Sequence, residues 1–257
     1  MEKRYIIGID QSTQGTKALL FDGVGHLLRR TDLPHRQIVN EKGWVSHDLN
    51  EIYRNTVQTV KTLVTESGVA PETIAGIGIS NQRETTAIWD KATGEPLEEA
   101  IVWQCGRASG IAQEIAEQGH AEEIREATGL QLSAYFPAAK MEWLLRNGGE
   151  ERQKRAADGE LCLGTIDSWL VYKLTGDHAF KTDFSNASRT QLFNLKTLAW
   201  DEKICEMFGI PACALARVCD SDAVYGTTTM EGLFSEPVPI CGVLGDSHAA
   251  LFGQGCL

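Results

Sequence analysis

The chain has 257 residues, 42% of them hydrophobic and 23% charged, enough apolar material to bury a substantial core as one large domain or a domain with an elaboration. Its 24 basic and 35 acidic residues give a formal charge of −11, which repels polyanions without any basic stripe to compensate, so no nucleic-acid partner is expected. Met1-Glu2-Lys3-Arg4 runs directly into a strand-like segment and no stretch of about 18 apolar residues occurs, so the expectation is a cytoplasmic chain with no membrane span and no signal peptide.

Tyr5 to Asp10 and Ala18 to Asp22 are short apolar runs joined by the polar segment Gln11 to Lys17, a hairpin pattern. The Gly23-Val24-Gly25 turn leads to a third strand near His26 to Arg30. Asp48, followed three residues later by Glu51, opens a segment with Ile52, Val57, Val60 and Leu63 at helical spacing, an Asp-led relative of the capping box. Ile74 to Ser80 returns as an apolar strand. Three strands, a helix and a strand fit a mixed sheet flanked by helices, an α/β arrangement without continuous strand–helix alternation.

Beyond residue 100 the pattern turns helical, with helices expected over Gly110 to Thr128, Ala138 to Arg146, Ile166 to Leu174 and Asp201 to Phe208. Phe184 to Leu195 is polar and aromatic and reads as strand or loop. A last helix begins near Asp246 and has barely made two turns at Leu257, so the chain is expected to be a fragment of a longer protein. The seven cysteines show no Cys-x-x-Cys spacing, which favours free thiols in a reducing compartment. Asn186-Ala187-Ser188, without a secretory signal, is a chance sequon.

Three segments carry chemistry. The loop Asp10-Gln11-Ser12-Thr13-Gln14-Gly15-Thr16-Lys17 offers a carboxylate, hydroxyls, a glycine that admits a ligand to backbone N–H groups, and one cation. That set suits phosphate with its metal ion, although the glycine spacing is not that of a Walker loop and a solvated turn would look the same. Asn81-Gln82-Arg83-Glu84-Thr85-Thr86 concentrates donors and an acceptor at a strand end, the mixture that satisfies several hydroxyls of a polyol at once, with a surface ion pair as the plainer reading. Trp103, Tyr135 and Phe136 could wall a carbon skeleton or could simply be core. The third segment, Gly245-Asp246-Ser247-His248-Ala249, has three readings: a hydrolase elbow with Ser247 as nucleophile, a general base at Asp246, or a helix-capping Asp. The elbow requires an acid and a histidine later in the chain, and only nine residues follow His248.

Taken together, Gly8-Ile9-Asp10-Gln11-Ser12-Thr13 with Lys17, Asn81 to Asp90, Ile101-Val102-Trp103-Gln104, Gly164 to Leu170, Thr182 to Thr190, and Gly245-Asp246 with Ala249 to Gln254 resemble, in order, the N-terminal half of the FGGY carbohydrate kinases, within them the glycerol kinases. The resemblance spans essentially the whole chain, 1–257, and implies a ribonuclease H-like domain of the actin, sugar kinase and heat-shock chaperone superfamily, with a second, nucleotide-binding C-terminal domain lying outside this chain. It further implies ATP and Mg²⁺ as cofactors, with Asp10 at the metal and Thr13, Gln14, Gly15 and Lys17 at the phosphates. Arg83, Glu84, Trp103, Tyr135 and Ser247 fall on positions around the polyol, and Asp246 falls on the catalytic base. Lys17 stands where the glycerol kinases carry arginine, losing a bidentate fork. Ser247-His248 replaces their Gln-Gln, and Gln104-Cys105-Gly106-Arg107 replaces Gln-Asp-Arg-Arg. The shorter Ser247 leaves room for a larger polyol or ketose such as erythritol, xylulose or ribulose, or for a water beside glycerol. Phosphoryl transfer from MgATP to a primary hydroxyl is therefore expected. A non-catalytic actin-like binding module and an ATPase without an acceptor are the rivals, and a homo-oligomer is left open.

Overall fold

The computed structural model describes residues 2–256. In chain order the strands and helices are β1 (Tyr5–Gln11), β2 (Gly15–Phe21), β3 (Leu27–Pro34), β4 (Ile38–Val39), β5 (Val45–His47), α1 (Leu49–Ser67), β6 (Ile74–Asn81), β7 (Thr86–Asp90), β8 (Ala100–Ile101), α2 (Ser109–Glu117), α3 (Ala121–Thr128), α4 (Pro137–Asn147) and α5 (Gly149–Ala157). They continue as β9 (Leu161–Thr165), α6 (Ile166–Leu174), β10 (Lys181–Asp183), α7 (Phe184–Ala187), β11 (Phe193–Asn194), β12 (Ala199–Trp200), α8 (Glu202–Met207), β13 (Arg217–Cys219), β14 (Gly226–Thr228), β15 (Val238–Gly245) and α9 (Asp246–Gly253). Among the described residues no helix is long and apolar enough to cross a membrane.

The main sheet has six strands in the order β14-β15-β6-β1-β2-β3. Its three central strands, β15, β6 and β1, run parallel, and β2, β3 and β14 run antiparallel to their neighbours. Period-2 alternation places Ile7 and Ile9 of β1 with Ala18 and Leu20 of β2 on one face, where Ile52, Val60 and Leu63 of α1 and Trp169 and Leu170 of α6 cover them. Asp48 caps α1 by accepting from the backbone N–H groups of Asn50 (2.8 Å) and Glu51 (3.1 Å). The reciprocal half of the expected capping box is not made, because the Glu51 carboxylate accepts instead from the backbone N–H of Arg36 at 3.3 Å.

A second, antiparallel sheet, β4-β5-β8-β7-β9, was not legible in the sequence as a separate layer. Its strands β7 and β9 divide two cores. Ala87, Trp89 and Cys162 join the core under the main sheet, whereas the alternate residues Ile88, Leu161 and Leu163 join a second cluster with Ile111, Ile124, Leu144, Leu145 and Phe208. A strand buried on both faces reads as continuous apolar sequence, which hides its alternation.

Other expectations need correction. Gly110 to Thr128 is two helices, α2 and α3, because Gly119 adopts φ +88° between them. Phe184 to Leu195 opens with the helical turn α7, capped by Asp183, and only then forms the short strand β11. The charged segment α5 was missed, since of its residues only Ala156 is buried and its apolar stripe is almost absent.

His35 and His47 pack edge to face with centroids 4.5 Å apart, and among the described residues none of their four ring nitrogens has a hydrogen-bond partner. Burial, and then the neighbouring His35, push His47 down to about 4. The unfolded chain therefore takes up this proton first as pH falls, so the stability contribution is complete above the ordinary histidine value of 6.5 and is lost between there and about 4. Between pH 7 and pH 5, urea unfolding should show the native protein losing about 2 kcal/mol more stability than His47→Phe. Parallel pH profiles for the two proteins would mean that the imidazole is not held neutral by the fold.

Candidate active site

The register of the three parallel strands brings their carboxyl ends together, with Gln11 opposite Asn81 and Asn81 opposite Gly245. The loops that follow these residues therefore emerge side by side, the usual location of a ligand site in an open α/β sheet. The first is the β1–β2 hairpin. Asp10 and Lys17 are cross-strand partners joined by an ion pair of 2.8 Å, and Ser80 of β6 donates to the other Asp10 oxygen at 3.3 Å. Ser12 closes the turn by donating its backbone N–H (2.9 Å) and its hydroxyl (3.0 Å) to the Gly15 carbonyl. At Gly15 a Cβ would lie 2.5 Å from the Leu33 carbonyl oxygen, so β3 can approach β2 here only because the side chain is absent. Ser12, Gln14, Gly15 and Lys17 face one open pocket with Arg30 and Asp32 of β3.

Asp10 keeps about a third of its side chain accessible beside this loop. Among the described residues no group of three His, Cys, Asp or Glu side chains is placed to hold a metal ion. Such a donor set fits a magnesium ion that arrives with nucleotide phosphates and keeps most of its waters, since one or two carboxylates suffice for it.

The second loop holds Arg83 and Glu84. Glu84 has φ +61°, an unusual conformation for a side chain of its size, next to a tight turn in which the Thr85 N–H donates to the Arg83 carbonyl at 2.8 Å. The turn sends the two side chains apart. Arg83 reaches the start of α9, donating through Nε to Asp246 (3.1 Å) and through Nη2 to Ser247 Oγ (2.8 Å), with Nη1 3.1 Å from His248 Nδ1. Burial and then the Arg83 charge hold His248 below the ordinary histidine value, so its neutral ring accepts from Arg83. A Cβ at Gly245 would lie 2.2 Å from Arg83 Cδ, so the glycine makes the corridor through which this side chain passes. Ser247 and His248 are both engaged with Arg83 and not with each other, which leaves the hydrolase elbow without its base.

Glu84 is almost fully buried and accepts from Arg189 Nε at 2.7 Å. Trp103 packs edge to face on Tyr135 at 5.7 Å, and Tyr135 on Phe136 at 5.1 Å. Burial raises the Tyr135 phenol, the Glu84 carboxylate adds to the rise, and the Arg189 and Arg83 guanidiniums oppose it. Behind it the fully buried Lys140 donates to the carbonyls of Ala134 (2.7 Å) and Tyr135, and burial lowers it to about 7. The two halves of the site are tied together. Trp103 Nε1 donates to Thr13 Oγ1 at 2.9 Å, its backbone N–H to Thr85 Oγ1 at 3.2 Å, and Thr85 to Gln82, whose amide bonds Gln11 and the Ser12 carbonyl.

Asp246 is the first residue of α9, with half its side chain accessible. Its position is set from beneath by residues that sequence reasoning did not single out. The buried Asp183 accepts from the hydroxyls of Ser185 (2.5 Å) and Ser221 (2.7 Å), and Ser185 Oγ in turn accepts the Gly245 N–H at 2.7 Å. Asn186 exchanges amide bonds of 2.8 and 3.1 Å with Asn81. The density of short polar residues in Thr182 to Thr190, too many for a solvated helix face, was the available signal. Of the residues expected at the site, contacts join Thr13, Trp103 and Tyr135 in one group, Arg83, Asp246 and Ser247 in another, and Asp10 with Lys17 in a third, while Gln14, Gly15 and Lys17 line the open pocket beside β3. Lys140, Asp183, Ser185, Arg189 and His248 stand beside them without having been expected.

The chain is 46% identical over 251 residues to glycerol kinase 1 of Thermotoga maritima, covering 98% of this chain and 51% of that protein. It is 47% identical over 253 residues to the glycerol kinase of Enterococcus casseliflavus, covering 98% and 50%. The chain thus spans about half the length of the curated relatives it matches. Among solved structures, Plasmodium falciparum glycerol kinase with ADP superposes with a TM-score of 0.89 at 34% identity, covering 99% of this chain and 51% of that one. A xylulose kinase from Lactobacillus acidophilus, at a TM-score of 0.86 and 24% identity over 98% of this chain and 50% of that one, shares the fold. The mixed sheet flanked by helices is the ribonuclease H-like fold of these sugar kinases. Residues 5–253 match the N-terminal domain of the FGGY family of carbohydrate kinases, and the chain belongs to that family.

Proposed function

We propose that this chain supplies the polyol pocket, the catalytic base and the phosphate loop of an ATP-dependent kinase whose acceptor is a primary hydroxyl of glycerol. The observation that carries the reading is Asp246, at the carboxyl end of β15, paired with Arg83 and following Gly245, whose N–H is fixed by the Asp183–Ser185 relay, in a chain nearly half identical to glycerol kinases.

In this reading the carbon skeleton lies against the edges of Trp103 and Tyr135. Glu84 accepts from one hydroxyl, and the Arg83 N–H groups not committed to α9 donate to another. Asp246 accepts the proton of the attacking hydroxyl through its accessible carboxylate oxygen, as a base needs only to be within hydrogen-bond reach of that proton. The backbone N–H groups of Thr13, Gln14 and Gly15, with the Lys17 ammonium, receive the phosphate oxygens. Magnesium, held by Asp10 and the phosphates, would neutralise charge on the transferring group. Little covalent work remains for the protein, so catalysis rests on position and on water exclusion. The indole bond from Trp103 to Thr13 supports this division of labour, since the polyol wall cannot shift without moving the phosphate loop.

Ser247 favours a second acceptor class. Its short side chain is drawn onto Arg83 and leaves the pocket wider than a longer residue would, which suits a four- or five-carbon polyol or ketose.

Two measurements on the whole protein test these assignments. Asp246→Asn should lower polyol-dependent ADP formation by about 10²-fold or more, the scale of a lost general base, while glycerol affinity stays within about threefold. Retention of more than half the native turnover would remove Asp246 from the chemistry. Glu84→Ala should weaken glycerol binding by about 2 kcal/mol, because a buried hydroxyl loses a charged acceptor and Arg189 loses its partner. An unchanged Michaelis constant for glycerol, with erythritol, xylulose and ribulose assayed alongside, would reduce Glu84 to a structural ion pair.

A further inference from the structure

Arg189 lies outside every segment assigned to ligand contact above, yet two parts of the polyol wall, Glu84 and Phe136, meet on its guanidinium. Its Nε donates to Glu84 Oε1 at 2.7 Å across 105 residues of sequence. Its plane lies over the Phe136 ring, 4.9 Å from the centroid. The Arg189 side chain is only about a quarter accessible and Glu84 almost fully buried, so the pair is shielded from the screening that makes exposed ion pairs weak.

The backbone explains why such a clamp is needed. Glu84 sits at φ +61°, a sparsely populated backbone conformation that persists only where the surrounding structure holds it. Lys140 spends two donors on the Ala134 and Tyr135 carbonyls and Arg83 is committed to the start of α9, which leaves Glu84 to Arg189. The segment that delivers Arg189 is itself anchored, because the Arg189 N–H donates to the Asn186 carbonyl at 3.0 Å and Asn186 exchanges bonds with Asn81 at the end of β6.

We propose that Arg189 is the positioning residue of the polyol pocket: one guanidinium, seated on Phe136, aims the Glu84 carboxylate at the substrate. The inference rests on the polyol-kinase reading and deepens it by assigning acceptor affinity to a residue that need not touch the acceptor. Arginine is required because its planar fork can serve a carboxylate and a ring face together, which a lysine ammonium cannot.

The test is steady-state ADP formation by the whole protein with MgATP and varied glycerol. Arg189→Gln should raise the glycerol KM by about tenfold or more with kcat within about threefold and the KM for ATP unchanged, because the loss is in binding and not in the transferring group. Arg189→Lys should recover part of the affinity, since it restores the charge opposite Glu84 without the fork. A glycerol KM within twofold of native in Arg189→Gln overturns the inference, as does a parallel fall of kcat and affinity for both substrates that Arg189→Lys does not relieve, which would mark a purely structural role. Should Arg189→Gln fail to fold, Arg189→Lys decides alone: a rise in glycerol KM of about threefold supports the clamp and an unchanged value overturns it. Absence of any polyol-dependent turnover in the native protein overturns the kinase reading, and this inference with it.

Discussion

Everything at the site hangs from the alignment of three parallel strand ends, Gln11, Asn81 and Gly245, sealed by buried amides and one buried carboxylate. Gln82 binds Gln11, Asn186 binds Asn81, and Asp183 reaches Gly245 through Ser185. Buried polar groups are costly unless satisfied, and a satisfied network is correspondingly rigid, since sliding one strand would orphan several partners at once. The three loops that leave these strands inherit that rigidity. Asp10, Arg83 and Asp246 are therefore fixed relative to one another before any ligand arrives.

The electrostatics of the site run against those of the chain. A protein of charge −11 is expected to repel a nucleotide, yet the site gathers Lys17, Arg83 and Arg189 around only a few carboxylates. Each cation is already committed: Lys17 to Asp10, Arg83 to α9 and Arg189 to Glu84, while the buried Lys140 bonds two carbonyls. Such commitment limits side-chain freedom, so less ordering remains to be done when a ligand binds. Catalysis by position requires this, as an error of about 1 Å in a reacting group is costly.

Much of this was legible in the sequence, and the gaps have physical causes. The β1–β2 hairpin, β3, α1 and β6, the extent of α6 and the start of α9 followed from apolar period, turns and caps, whereas the short strands β4 and β5 between β3 and α1 did not. The Asp10 loop, Arg83-Glu84 and Asp246 stood out because polar and charged residues crowd the ends of apolar strands. The second sheet stayed hidden, since β7 and β9 are buried on both faces and carry no alternation. Arg189, Lys140 and Asp183 were missed for a different reason. Arg189 acts across 105 residues, Asp183 binds Ser221 across 38 and acts through the burial of its carboxylate, and Lys140 is a buried lysine that a sequence would place at the surface.

The account's central claim is that one rigid strand-end platform places a polyol between Trp103, Glu84 and Asp246 with the nucleotide phosphates on the Thr13–Gly15 loop. A crystal structure of the whole protein with glycerol and a non-hydrolysable ATP analogue tests this most directly. The expected result is glycerol with its hydroxyls on Arg83, Glu84 and Asp246, and a terminal phosphate at the hairpin facing the hydroxyl nearest Asp246. Glycerol bound away from Arg83 and Glu84, or a phosphate chain that does not reach the hairpin, would contradict it.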